Sequence, residues 1–219
     1  MIRQVPNAIT CLNLMSGSIG IYYTLVVGKP NAIYFVLLGA FFDLLDGLIA
    51  RLLGVSSEIG KQLDSLADLI TFGLLPSFYL VVLLQGKTEF YWIALLTAVF
   101  SAVRLAKFNV DDSQSDHFKG LPTPANAIMI TSLAFVPYEL SEWVLIGLTL
   151  VSSYLLVSDI PLIALKFKSY GWKGNEFKWL LVAGSLVLMI VFQWTFVVFL
   201  IPFYLLVSLL SFLKKSDNP

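Results

Sequence analysis

At 219 residues the chain has the length of one domain, yet 58% of it is hydrophobic and only 13% charged, against about 25% charged in soluble domains. Its mean hydropathy of +0.85 argues against a soluble globule and for a bilayer. Fourteen basic residues balance fourteen acidic ones, so no bulk charge invites nucleic acid, and the single cysteine, Cys11, rules out an intramolecular disulfide.

Eight apolar segments are long enough, or nearly so, to cross a membrane: 8–27, 31–53, 62–84, 90–108, 124–137, 142–165, 177–193 and 195–213. The fifth is short, and only Gln193, Trp194 and Thr195 divide the last two. The expected fold is therefore all-α, a polytopic bundle of about eight transmembrane helices forming a single domain over 1–219. No signal-peptide cleavage site is evident near the start, so the first segment reads as a retained span. Eight crossings put both termini on one side. Twelve of the fourteen Lys and Arg residues then fall on that side and only Lys29 and Lys87 fall opposite, so that side is expected to be cytoplasmic.

In the first segment Pro6 suits a first helical turn, and Asn7, Thr10 and Asn13 recur every three residues on one face. They read either as caps and interhelical hydrogen bonds or as a polar wall for a ligand. The second and third segments carry Asp43, Asp46, Asp64 and Asp68, four of the nine aspartates. The first two are three apart and the last two four apart, so each pair projects from one helix face, and the two pairs meet across a short turn near the cytoplasmic interface. At the bilayer centre each carboxylate would cost about 2.5–3.5 kcal/mol, so four would cost roughly 10–14 kcal/mol. No basic cluster of matching size lies nearby, and one or two divalent cations held by carboxylate oxygens would compensate. Gly47 would let a phosphate or sugar approach the backbone, and Gly60 would let two helices close.

Arg104 and Lys107 end the fourth span, as snorkelling anchors or as ligand contacts. The loop after it carries Asp111, Asp112 and Asp116 without the glycine and glutamate of an EF-hand, and reads as solvated. His117 is the only histidine, which leaves little for histidine-based metal or triad chemistry. Asp159 and Pro161 are expected inside the sixth span, with Lys166 as a partner for Asp159 or a ligand as the alternative. Cations and aromatics alternate over 166–178, which anionic lipid attraction explains.

Residues 43–68 spell D-x2-D-G-x2-A-R-x8-G-x3-D-x3-D. This resembles the signature of the CDP-alcohol phosphatidyltransferases at all eight specified positions and every gap. The stretches at 104–109 (Arg104 to Asn109) and 118–124 (Phe118 to Pro124) look most like the phosphatidylserine synthase branch. The resemblance implies transfer of a phosphatidyl group from CDP-diacylglycerol to an alcohol, with CMP released. It implies a metal site of Asp43, Asp46, Asp64 and Asp68 for two Mg²⁺ or Mn²⁺ ions, with Asp68 also taking the alcohol's proton. Asn7, Thr10, Asp46, Gly47, Ala50, Arg51 and Gly60 would bind the CDP-diacylglycerol. For the acceptor, L-serine in that branch, Arg104, Lys107 and Lys119 could meet the carboxylate, Asp159 or a loop aspartate the ammonium, and Asn109 and Thr123 could add neutral hydrogen bonds. A homodimer in the cell membrane, surrounded by membrane lipids, is also implied. Two rivals remain at this level. The same chemistry with glycerol 3-phosphate would want several cations, and an ion transporter would use the same aspartates without releasing CMP.

Overall fold

A computed structural model describes residues 4–27, 31–55, 57–110, 118–163, 171–172 and 175–216. It is helical almost throughout. Helix α1 spans Val5–Val26, α2 Ala32–Leu53 and α3 Glu58–Asp68. A six-residue π turn, Leu69–Leu74, joins α3 to α4 (Leu75–Leu84) in one continuous rod. A 3₁₀ turn at Tyr91–Leu95 leads into α5 (Leu96–Val110). Then come α6 (Thr123–Thr131), α7 (Glu142–Val157), α8 (Glu176–Phe192) and α9 (Phe196–Ser216). Among the described residues eight apolar helical rods thus stand, close to the segments that hydropathy marks. By length and composition, 5–26, 32–53, 58–84 and 91–110 can each cross a membrane, as can the 39-residue stretch 176–214. That last stretch is two helices, because Gln193 adopts φ +48° and folds α9 back against α8. The chain is a multi-pass membrane protein.

Local chemistry sets the boundaries that matter. Gly54 ends α2 in the left-handed conformation at φ +61°, and its N–H and that of Val55 close on the last carbonyls of the helix. Ser57 caps α3 by accepting from the Gly60 N–H at 3.0 Å, which starts this helix four residues before its apolar run. The sixth span stops at Val157, short of the expected 165, and this corrects the placement of Asp159 in a helix. Pro161 lacks an N–H and disfavours helix in the residue before it. Ser158 is extended, and Pro161–Leu162 (β2) pairs antiparallel with Phe118–Lys119 (β1). This two-residue bridge holds the entry to α6 against the exit of α7.

The interior is assembled by small and polar residues, as expected where hydrocarbon rather than water surrounds the bundle. Pro6, Thr10, Asn13, Gly17, Gly20 and Thr24 are buried along one stripe of α1, while Leu12, Met15, Ile19 and Tyr22 are exposed. The π turn is wedged beside this stripe. A Cβ on Gly17 or on Gly39 of α2 would collide with Thr71. Larger apolar residues close the core farther along, where Val36, Phe72, Leu75, Leu80 and Ile130 are fully buried. The two ends of the bundle are marked by tie points. Lys61 at the start of α3 donates to the Asn109 carbonyl at the end of α5, at 2.9 Å. At the other end Lys87 pairs with Glu139 at 3.0 Å.

The close contact at Gly39 has a measurable consequence. Gly39→Ala should destabilise the protein by about 1–3 kcal/mol through overpacking against Thr71 and Asn13. Gly147→Ala on α7, where a Cβ meets nothing within 4 Å, should be neutral or slightly stabilising. Melting in detergent checks the pair, and equal melting temperatures would contradict the packing described.

Candidate active site

Asp43 lies on α2 and Asp64 and Asp68 on α3, the helices on either side of the Gly54 turn. One carboxylate oxygen from each of the three lies within 4.8 Å of the other two. Oxygens sharing one Mg²⁺ at about 2.1 Å would sit about 3–4 Å apart, so a small inward movement closes this triad on a cation. The donor set is hard oxygen throughout, which suits Mg²⁺ or Mn²⁺ over softer metals. Asp64 supplies the sharper sign. Its Oδ1 is buried and has no hydrogen-bond partner among the described residues, a costly state for a carboxylate unless a cation faces it.

Asp46 stands apart from the triad. It is 7% exposed, and its Oδ2 accepts from the Thr10 hydroxyl of α1 at 2.6 Å. Together with Asp64 it lines a cleft of about 290 Å³ between α1, α2 and the start of α3. Asn7, Thr10, Gly47, Ala50 and Gly60 line the same cleft, so six residues named for the donor from sequence are gathered on its walls. Gly60 is needed there, since a Cβ would sit 2.9 Å from Asn7 Oδ1 and 3.0 Å from Ser57 Oγ. Arg51 is not on the wall. It is exposed on the last turn of α2, with its guanidinium back beside Gly47. The cleft also includes Pro6, Val55, Ser57 and Lys61, which sequence reasoning did not assign to it. Of these only Lys61 has a usable sequence signal, as a cation one residue past Gly60, and it is one of the twelve basic residues that fix the orientation.

Asp68 accepts from Asn13 Nδ2 at 3.1 Å, and Arg104 of α5, within electrostatic reach of Asp68, has a buried Nε with no hydrogen-bond partner among the described residues. The other residues named for an acceptor are dispersed. Asn109 donates to Ser65 Oγ at 2.8 Å and so ties α5 to α3. Lys107 is exposed, Thr123 is buried at the start of α6, and Asp159 is exposed ahead of β2. The side chain of Lys119 lies outside the described residues, as do Asp111, Asp112, Asp116, His117 and Lys166.

The arrangement offers a candidate cation site opening on a cleft, with the half-buried Arg104 within electrostatic reach of one of its carboxylates. Such a site can hold a charged phosphate ester, neutralise it, and accept a proton beside it. Comparison with known proteins agrees with this chemistry. The family model described as CDP-alcohol phosphatidyltransferase matches residues 3–155. A Bacillus subtilis protein named CDP-diacylglycerol–serine O-phosphatidyltransferase is 36% identical over 162 residues, covering 72% of this chain and 89% of that protein. A Helicobacter pylori protein of the same name is 30% identical over 193 residues, covering 83% and 80%. One from Mycobacterium leprae is 33% identical over 175 residues, covering 74% of this chain. The match spans only 58% of the length of that mycobacterial relative.

If the three carboxylates share an ion, Mn²⁺ should raise the melting temperature of the purified protein by linkage. Asp43→Asn or Asp64→Asn should remove most of that rise. An undiminished rise in both variants would contradict a shared site.

Proposed function

The chain belongs to the CDP-alcohol phosphatidyltransferase family, and on that footing we propose that it transfers the phosphatidyl group of CDP-diacylglycerol to the hydroxyl of L-serine. The products are phosphatidylserine and CMP. The observation that carries the reading is the meeting of the Asp43–Asp64–Asp68 triad with the cleft that Asp46 and Asp64 share. Serine as acceptor is supported by the names of relatives from three bacterial genera.

In this reading the cytidine diphosphate lies in the cleft. Gly47 and Gly60 present bare backbone to it, and Asn7 and Thr10 provide polar side chains from α1. Arg51, one turn beyond Gly47, is close enough to swing over a bound diphosphate. Asp43, Asp64 and Asp68, with Asp46 on the cleft side, would hold the divalent ions, Mg²⁺ or Mn²⁺ and two in number on the family's pattern. When bound, such ions neutralise the diphosphate and the charge that develops on departing CMP. The serine hydroxyl attacks the phosphorus bonded to diacylglycerol. The bond from that phosphorus to the CMP oxygen breaks in line, and the hydroxyl proton passes to Asp68. Arg104, within electrostatic reach of Asp68 and with no partner for its Nε among the described residues, would take the serine carboxylate. Lys107, Lys119, Asn109, Thr123 and Asp159 are the remaining candidates around the acceptor. We further read residues 1–219 as one domain, the site and both termini as cytoplasmic, and the working unit as a homodimer surrounded by membrane lipids.

Purified protein with CDP-diacylglycerol, Mg²⁺ or Mn²⁺ and a panel of alcohols should release CMP with serine and stop in excess chelator. Faster release with glycerol 3-phosphate would reassign the acceptor, and undiminished release in chelator would contradict the metal role. Asp68→Asn should lose about 10²–10⁴-fold in rate while still binding CDP-diacylglycerol. Arg104→Ala should raise the KM for serine roughly 10–100-fold, the worth of a charged hydrogen bond, and leave that for CDP-diacylglycerol nearly unchanged. Equal rises in both would remove Arg104 from the acceptor site.

A further inference from the structure

Asn13 is fastened twice to the segment that carries Asp68. Its side-chain N–H donates to Asp68 Oδ1 at 3.1 Å, across 55 residues of sequence. Its backbone carbonyl accepts from the Thr71 hydroxyl at 2.9 Å, across 58. Thr71 lies in the π turn that begins at the residue after Asp68, and Gly17 and Gly39 leave it room between α1 and α2. Asn13 itself is fully buried, and its Oδ1 faces Gly39, where even a Cβ would come within 2.8 Å. The amide therefore has one place to point. An aspartate side chain ordinarily turns about two bonds; a donor fixed from a second helix removes that freedom and sets the plane of the carboxylate.

We infer that Asn13 is a positioning residue, which holds one oxygen of Asp68 so that the other stays aimed at the reacting hydroxyl, with the π turn and Thr71 locking Asn13 in register. This rests on the reading of Asp68 as proton acceptor. A π turn at this point has a physical use under that reading: it re-phases the helix after Asp68, so that Thr71 and Asp68 both meet α1. An interhelical tie alone would need neither the buried amide nor the two glycines that make space for it.

The test is a double-mutant cycle between Asn13→Ala and Asp68→Asn, read as CMP release with serine. Loss of a partner that orients a site carboxylate typically costs 10–100-fold, so kcat for Asn13→Ala should fall by about that factor. Both KM values should stay within about threefold of wild type, because the loss is confined to the transition state. The melting shift produced by CDP-diacylglycerol should persist, which reports the fold and the donor site independently of turnover. In the Asp68→Asn background the same substitution should cost almost nothing further, because Asn13 acts through Asp68. Wild-type kcat for Asn13→Ala, or an equal loss in both backgrounds, would overturn the proposal. Should Asn13→Ala lose the melting shift, Thr71→Val carries the test by the same criteria, since it keeps the side-chain volume and removes only the hydroxyl that secures Asn13. Wild-type turnover in Asp68→Asn alone would instead refute the reading of Asp68, whatever Asn13→Ala does.

Discussion

Three carboxylates brought within 4.8 Å inside an apolar bundle repel one another, and the site's architecture answers that repulsion. At an effective dielectric of about 20, each ionised pair at that separation costs roughly 3 kcal/mol, so three pairs cost roughly 10. The hydrogen bond from Asn13 returns about 1.5–3 kcal/mol. Arg104 opposes one carboxylate and not three. A divalent cation has a charge suited to the whole group, and Asp64 Oδ1, buried with no hydrogen-bond partner among the described residues, would face it.

Holding carboxylates at that spacing requires helices to approach closely, and the bundle achieves this by facing small and polar residues inward. On α1 the stripe from Pro6 to Thr24 has no residue bulkier than Asn13. Gly17, Gly39 and Gly60 are each placed where a Cβ would meet a polar side chain from a neighbouring helix. The polar groups so admitted then act directly. Thr10 binds Asp46, Asn13 binds Asp68, and Thr71 binds the backbone of α1. Packing and site are one set of contacts, which is why overpacking at Gly39 should disturb both.

Much of this was legible in the sequence because its signals are local. Apolar runs located all eight rods, and the spacing of Asp43, Asp46, Asp64 and Asp68 placed each pair on one face. The rest depended on pairings that no local pattern encodes. Asn13 could be seen as one of three polar residues on a face, but its partnership with Asp68 spans two helices. The π turn at Leu69–Leu74 has no composition that separates it from the helix around it. Asp159 was misplaced because the apolar run through residue 165 outweighed the signal of Pro161. Of the acceptor candidates, which the sequence scatters over 104–109, 118–124 and Asp159, Arg104 comes within electrostatic reach of Asp68 while Asn109 serves as a strut between α3 and α5.

The central claim, that the triad holds a divalent ion at the edge of the donor cleft, is tested most directly by crystals grown with Mn²⁺. The account predicts an anomalous peak bounded by Asp43, Asp64 and Asp68, with CDP-diacylglycerol bringing a second peak toward Asp46. A structure in which Mn²⁺ binds elsewhere, or in which the donor binds with no anomalous peak among these carboxylates, would contradict it.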